Sequence, residues 1–172
     1  LIRNFQKTLN RILESGEYAN SVPEIMNGIL DFCLPIFKGK QVLLQCDDWR
    51  LSRHVSETFR EELSALLSKN EFVQKEALVI NTIEQIENSY PELTLQLKKE
   101  NIQSFMLTGL TRDQQGIGFL LIGRDTEADW GEDEERMLEI TSRLMTLEVR
   151  RAATFQENTR RELLNWRMNA LG

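Results

Sequence analysis

Two cysteines and one histidine are the only thiol and imidazole side chains in this 172-residue chain. Cys33 sits in the apolar run PEIMNGILDFCLPIF, Cys46 near the end of KQVLLQCDD, and His54 in SRHVSE, so the three fall on three different predicted elements. A structural zinc site takes four thiolate or imidazole ligands, which this set cannot supply. Cys33 and Cys46 therefore read as ordinary buried thiols. No Ser/His/Asp order, phosphate-binding glycine loop or HExxH sequence accompanies them, so nothing here assigns a hydrolase or a kinase. Glu132, Asp133, Glu134 and Glu135 form a run of carboxylates. They stand at the start of a predicted helix, where carboxylates favour the dipole and accept hydrogen bonds from unpaired backbone donors. Helix capping is expected of them rather than cation binding. No catalytic residue and no metal ligand is assigned.

The elements that must position any site follow from periodicity. Phe105 to Leu110 and Ile117 to Ile122 are apolar runs of strand length joined by TRDQQG, which predicts an antiparallel hairpin. Trp130, Gly131 and the acidic run then open a helix in which Met137, Ile140, Leu144 and Leu147 recur at three- and four-residue spacing. Upstream, PEIMNGILDFCLPIF reads as a helix with Ser21 as its cap and Pro23 and Glu24 in its first turn. KQVLLQCDD reads as a strand, SETFREELSALLSK as a helix, ALVINTIEQ as a strand and ELTLQLKKEN as a short helix.

This order resembles a GAF domain, a sensory module of signalling proteins. Ile102 and Ser104 ahead of a strand, Gly118 opening the last strand, Trp130, Asp133 three positions later and the amphipathic helix that follows are similar to the GAF pattern. The resemblance covers about Val22 to about Arg150 and implies an α+β fold, an antiparallel sheet with helices on both faces. Residues 1–20 are expected to form an N-terminal connecting helix and residues 21–150 the sensory domain. Residues 151–172 are expected to form a C-terminal signalling helix continuous with the last helix of the domain. Members that carry a bilin attach it through a cysteine, commonly beside a histidine, whereas His54 is flanked by Arg53 and Val55. Members that bind haem use a histidine, and His54 is expected to be exposed. Members that reduce free methionine sulfoxide need thiols that reach one another in an accessible pocket, which Cys33 and Cys46 do not resemble. No metal, covalent bilin or haem is expected.

Strand parity suggests where a small ligand would lie. Successive side chains on a strand point to opposite faces, so Leu43 and Gln45 share a face, as do Val79, Asn81 and Ile83, and Ser104, Met106 and Thr108. Gln45, Asn81, Ser104 and Thr108 form the wetter family, and the resemblance places them on the ligand side of the sheet, under SETFREELSALLSK and ELTLQLKKEN. Their amides and hydroxyls suit recognition of a small polar molecule. Phe59, Leu63, Leu66, Phe72, Leu95 and Leu97 are the apolar walls. The alternative is that this polar face meets only water, and a register slip of one residue reverses the lining.

Both ends carry apolar stripes at helical spacing. Ile2, Phe5, Leu9 and Ile12 form one, and Ala152, Phe155, Thr159, Leu163, Trp166 and Ala170 the other. The first can fold onto its own domain or meet a partner chain; the second is expected to project and pair. A helix from about Asp133 to about Met168 spans roughly 50 Å at 1.5 Å per residue, longer than one domain of this size can cover. The resemblance implies a parallel homodimer through Ile2, Phe5, Leu9, Ile12, Phe155, Thr159, Leu163 and Trp166, passing register changes to an output domain elsewhere in a longer protein. The start at Leu1 agrees with an excised piece.

Composition bounds the remaining classes. The chain is 41% hydrophobic and 28% charged, ordinary for one globular domain. With 21 basic against 27 acidic residues and a formal charge of -6, phosphate backbones and anionic lipid are disfavoured partners. Arg150, Arg151, Arg160, Arg161 and Arg167 are interleaved with Glu157 and Glu162, the pattern of a solvated helix surface. No run approaches the roughly 20 apolar residues of a membrane span and no secretory signal is present, so a cytoplasmic location is expected. The reading is a non-enzymatic sensory domain that dimerises and binds a small ligand. Its alternatives are a ligand-free relay module and, last, a thiol-dependent reductase of a small oxidised substrate.

Overall fold

QVLLQC and QGIGFLLIGR are apolar on both faces, and that places them at the centre of the sheet rather than at its edges. The computed structural model describes residues 2–15, 22–69 and 77–171. In it β1 (Gln41–Cys46) and β5 (Gln115–Arg124) pair within a five-stranded antiparallel sheet. β2 (Trp49–Arg53), β4 (Ser104–Arg112) and β3 (Leu78–Ile80) complete the order β2-β1-β5-β4-β3. Three helices cover one face: α1 (Ile2–Ser15), α2 (Val22–Ile36) and the long α5 (Glu132–Leu171). The other face carries α3 (Glu57–Lys69), a 3-10 turn at Ile83–Ile86 and α4 (Pro91–Lys99). This is the α+β architecture expected from the sequence, with a long C-terminal helix.

Two cores result, one on each side of the sheet. Val42, Leu44, Cys46, Met106, Leu120 and Ile122 point toward the terminal helices, while Leu43, Phe105, Leu107, Phe119 and Leu121 point toward α3 and α4. The register explains the split, because residues directly opposite in an antiparallel pair share a face. Leu44, Leu120 and Thr108 form one row across three strands, and Gln45, Phe119 and Gly109 form the next. Gly118 holds this register. A Cβ there would lie 1.9 Å from the Gln45 carbonyl oxygen, so only glycine lets β5 approach β1 so closely.

Four local expectations change. The β4–β5 connection is tighter than TRDQQG implied: Arg112 pairs with Gln115, and the turn is Asp113 and Gln114, both at positive φ, as a two-residue primed turn requires. β2 had no apolar alternation to announce it; it forms because Asp47, at φ 52, turns the chain back so that Trp49 pairs with Cys46. ALVINTIEQ is a strand only to Ile80. Beyond it Ile83 and Ile86 coil into the 3-10 turn and bury in the α3/α4 core, a tertiary gain that overrides their β propensity. On α5 the buried line is Leu138, Thr141, Met145, Val149 and Ala152, with Met137. Ile140 and Leu144 are half-buried and Leu147 is exposed. The helix carries two apolar stripes, and docking on the sheet selects the one that periodicity alone had not.

Candidate functional site

α5 is anchored where it leaves the sheet. The Trp130 indole is buried, its Nε1–H donates to the Ile80 carbonyl at 3.2 Å, and its backbone N–H donates to Asn81 Oδ1 at 2.9 Å. The Arg124 guanidinium stacks 3.8 Å from the ring centroid and donates to the Phe37 carbonyl, joining β5, the end of α2 and the base of α5. Glu134 accepts the Gly131 N–H at 3.0 Å, so one carboxylate of the acidic run satisfies a backbone donor at the helix start. These contacts join the sheet to the base of the helix.

The four polar residues proposed as one ligand lining do not come together. Gln45 faces α3 and α4, in the row of Phe119. Ser104 and Thr108 share the parity of Met106 and face the terminal helices instead. Asn81 spends its side-chain oxygen on Trp130, and Ser104 Oγ donates to the Thr126 carbonyl at 2.7 Å, so both brace the segment leading into α5. Thr108 Oγ1 lies 3.4 Å from the Gly109 carbonyl. Parity within β1 and β4 was read correctly, but Ile83, grouped with Val79 and Asn81, lies beyond the end of β3 and buries on the α3/α4 side, opposite Val79; the offset between β1 and β4 was misread, because only the pairing register sets it.

The polar group that sequence reasoning missed is Gln41. It shares the parity of Gln45, which was the available signal. It is 3% exposed, its Nε2 reaches the Glu100 carbonyl at 3.5 Å, and its Oε1 is buried with no hydrogen-bond partner. Gln45 Oε1 is in the same condition. Around them Phe59, Leu63 and Leu97 are buried as expected, Leu66 is partly buried, Leu95 is exposed, and Phe72 lies outside the described residues.

The terminal stripes separate into two kinds. Phe5 and Leu9, expected at a seam between chains, are buried in their own domain, where the Phe5 ring packs on Phe32 and Phe37. Their burial corrects that assignment: α1 closes the core beside α2. Ile2 is half-buried, and the side chain of Ile12 lies outside the described residues, as does Ser21. The C-terminal stripe behaves differently. α5 runs unbroken for 40 residues, and every residue described from Ala153 onward is exposed. Phe155 is 51% exposed, Leu163 56% and Trp166 69%. At about 100° per residue, Phe155, Thr159, Leu163 and Trp166 continue the sector that holds Thr141, Met145 and Ala152. The face that is core inside the domain is bare beyond it.

Thiol chemistry finds no support in the geometry. Cys33 and Cys46 are buried and free. Burial pushes the Cys33 thiol up to about 12 and the Cys46 thiol up to about 11, with Asp47 adding to the second and Arg112 opposing, so neither is a thiolate at neutral pH. His54 is exposed at φ 60. Among the described residues no three His, Cys, Asp or Glu side chains group as a metal site, and no helix is long and apolar enough to cross a membrane.

No family model matches the sequence, and no curated protein matches it. Solved structures do. A domain assigned to a two-component sensor histidine kinase of Sinorhizobium meliloti 1021 superposes with a TM-score of 0.66 at 18% identity, covering 82% of this chain and 97% of that one. The GAF domain of a phosphoenolpyruvate-protein phosphotransferase from Coxiella burnetii gives 0.65 at 15% identity, covering 89% and 96%. A far-red-absorbing domain solved with biliverdin bound gives 0.61 at 13% identity, covering 84% and 98%. At these identities the likeness speaks for the fold, and together with the sheet order and the α5 anchor it identifies the chain as having the GAF fold.

Proposed function

We propose that this chain is a non-enzymatic regulatory sensory domain that self-associates through the exposed half of α5 and relays its state along that helix to an output domain. The carrying observation is the bare apolar stripe at Phe155, Thr159, Leu163 and Trp166 on an uninterrupted helix. Helices draw most of their stability from packing an apolar face, and a projecting tail of roughly 28 Å at 1.5 Å per residue has no face of its own domain to pack on. A second tail supplies one. One of the similar structures is a domain assigned to a two-component sensor histidine kinase, which agrees with a sensory role.

A small ligand fits this reading on the α3/α4 side. Gln45 remains a candidate contact and Gln41 joins it, since both present buried carbonyl oxygens without donors. Asn81 and Ser104 serve the relay instead, by fixing the route from sheet to helix. The alternative is a relay with no ligand, its α3/α4 side filled by Phe59, Leu63 and Leu97.

Native mass spectrometry and sedimentation of freshly purified protein test the proposal together. A dimer at micromolar concentration that dissociates on the double replacement Phe155→Glu and Leu163→Glu is expected. A strictly monomeric wild type, or a dimer indifferent to that replacement, rejects the α5 seam. A retained small molecule separates the ligand-binding form of the reading from the ligand-free one.

A further inference from the structure

The charges beside the bare stripe are arranged with a definite sense. With about 100° per residue, the stripe through Ala152, Phe155, Thr159, Leu163, Trp166 and Ala170 has Arg160 and Arg167 on one flank and Glu162 on the other. Arg160 and Arg167 border the same surface depression as Phe155, Leu163 and Leu164, so the cationic flank lies directly against the apolar contact. Elsewhere on α5 the ion pairs close within the helix, Arg151 to Glu148 at 2.6 Å and Arg161 to Glu157 at 3.3 Å. Among the described residues Glu162 and Arg167 make no such pair.

When two helices pack in parallel, the left flank of one meets the right flank of the other, and charges at these positions set partner and orientation. Heptad arithmetic places a g residue five positions before the e residue it meets on the second helix. Glu162 and Arg167 have that separation and occupy opposite flanks. We propose that Glu162 of each copy pairs with Arg167 of a second copy, and that these two symmetric ion pairs select parallel, unstaggered association of the α5 tails.

The antiparallel alternative brings like flanks together. Arg160 and Arg167 would then face Arg167 and Arg160 of the other copy, with Glu162 left on the far side of the seam. Parallel pairing is thus favoured twice, by two attractions gained and by a cluster of arginines avoided. This inference rests on the α5 seam proposed above, and it adds the residues that fix orientation and register. Around the pair the stripe keeps heptad spacing, Thr159, Leu163, Trp166 and Ala170, which puts Glu162 and Arg167 on the two flanks of the seam.

Charge reversal in the full 172-residue chain tests it. Glu162→Arg and Arg167→Glu should each raise the dimer dissociation constant about tenfold at low salt, since each turns two attractions into two repulsions. The double variant should return to within about twofold of wild type, because the pairs re-form with their signs exchanged. Orientation is read separately from Thr159→Cys and Ala170→Cys, made one at a time. Both should form self-linked dimers under mild oxidation, which an antiparallel or staggered pair cannot do at two separated positions. Single reversals without effect, a double variant that fails to recover, or self-linking at only one position overturns the proposed ion pairs while leaving a dimer intact. A monomeric wild type removes the seam itself, and the pairing with it.

Discussion

Replacing Trp130 with phenylalanine keeps a ring between sheet and helix but removes its indole hydrogen bond and weakens the cation stacking on its face. The Nε1–H bond to the Ile80 carbonyl, 3.2 Å long and buried, disappears, at a cost of about 1 kcal/mol and more if the carbonyl stays dry. The Arg124 guanidinium, 3.8 Å from the ring centroid, then sits over a weaker π face, and roughly 0.5 kcal/mol goes with it. Trp130→Phe should therefore destabilise the domain by about 2 kcal/mol, allowing for the smaller ring. Trp130→Ala should cost about 5 kcal/mol, since it empties the site as well. Urea unfolding at fixed protein concentration measures both, with the concentration held because self-association adds to apparent stability. A cycle with Arg124→Ala isolates the stacking term, for which a coupling of about 0.5 to 2 kcal/mol is expected. If Trp130→Phe lies within about 0.5 kcal/mol of wild type, the ordinary range of a surface change, or if the cycle shows no coupling, Trp130 is merely a filler. The link between sheet and α5 would then have to lie elsewhere.

Two further outcomes follow from the core. Gly118→Ala should cost about 3 kcal/mol or more, because its Cβ would meet the Gln45 backbone at 1.9 Å and β5 cannot retreat without breaking its pairing with β1; a variant with an unchanged urea midpoint would contradict this. For the thiols the folded values are raised, to about 12 for Cys33 and about 11 for Cys46, so the unfolded chain ionises first as pH climbs. Their contribution to stability is whole below the ordinary cysteine value near 9 and is lost progressively from there toward 11 and 12. Midpoints should fall more steeply between pH 8 and pH 11 in wild type than in Cys33→Ala, and native protein at pH 8 should resist a thiol reagent that labels both cysteines after unfolding. Rapid labelling of the native state would reopen thiol chemistry.

Local pattern carried most of the architecture. Apolar runs of strand length, Ser/Asp/Gly punctuation and the spacing in α2, α3 and α5 reflect interactions within a few residues, which a single sequence displays directly. Trp130 was legible as a plug of its turn against the sheet, whereas Gly118 was read only through the family resemblance, and as the opening of a strand that begins at Gln115. The thiols too were readable as buried, since Cys33 lies in an apolar helix run and Cys46 follows the apolar strand VLLQ. Phe155, Leu163 and Trp166 stood out because their helical spacing prolongs an apolar stripe past the length one domain of this size can cover.

What the tertiary structure alone decided was rotation and register. α5 carries one apolar stripe through Ile140, Leu144 and Leu147 and another through Thr141, Met145 and Ala152, and only docking against β4, α1 and α2 buries the second. α1 likewise had a seam-like stripe, and the space beside Phe32 and Phe37 turned Phe5 and Leu9 inward. Gln45 and Ser104 parted because the pairing of Leu43 with Leu121 and of Leu107 with Leu121 sets the offset between strands far apart in the chain. Periodicity says which residues share a face. Which face that is depends on contacts between segments that the linear order does not contain, and there the free energy of packing, summed over two cores, makes the choice.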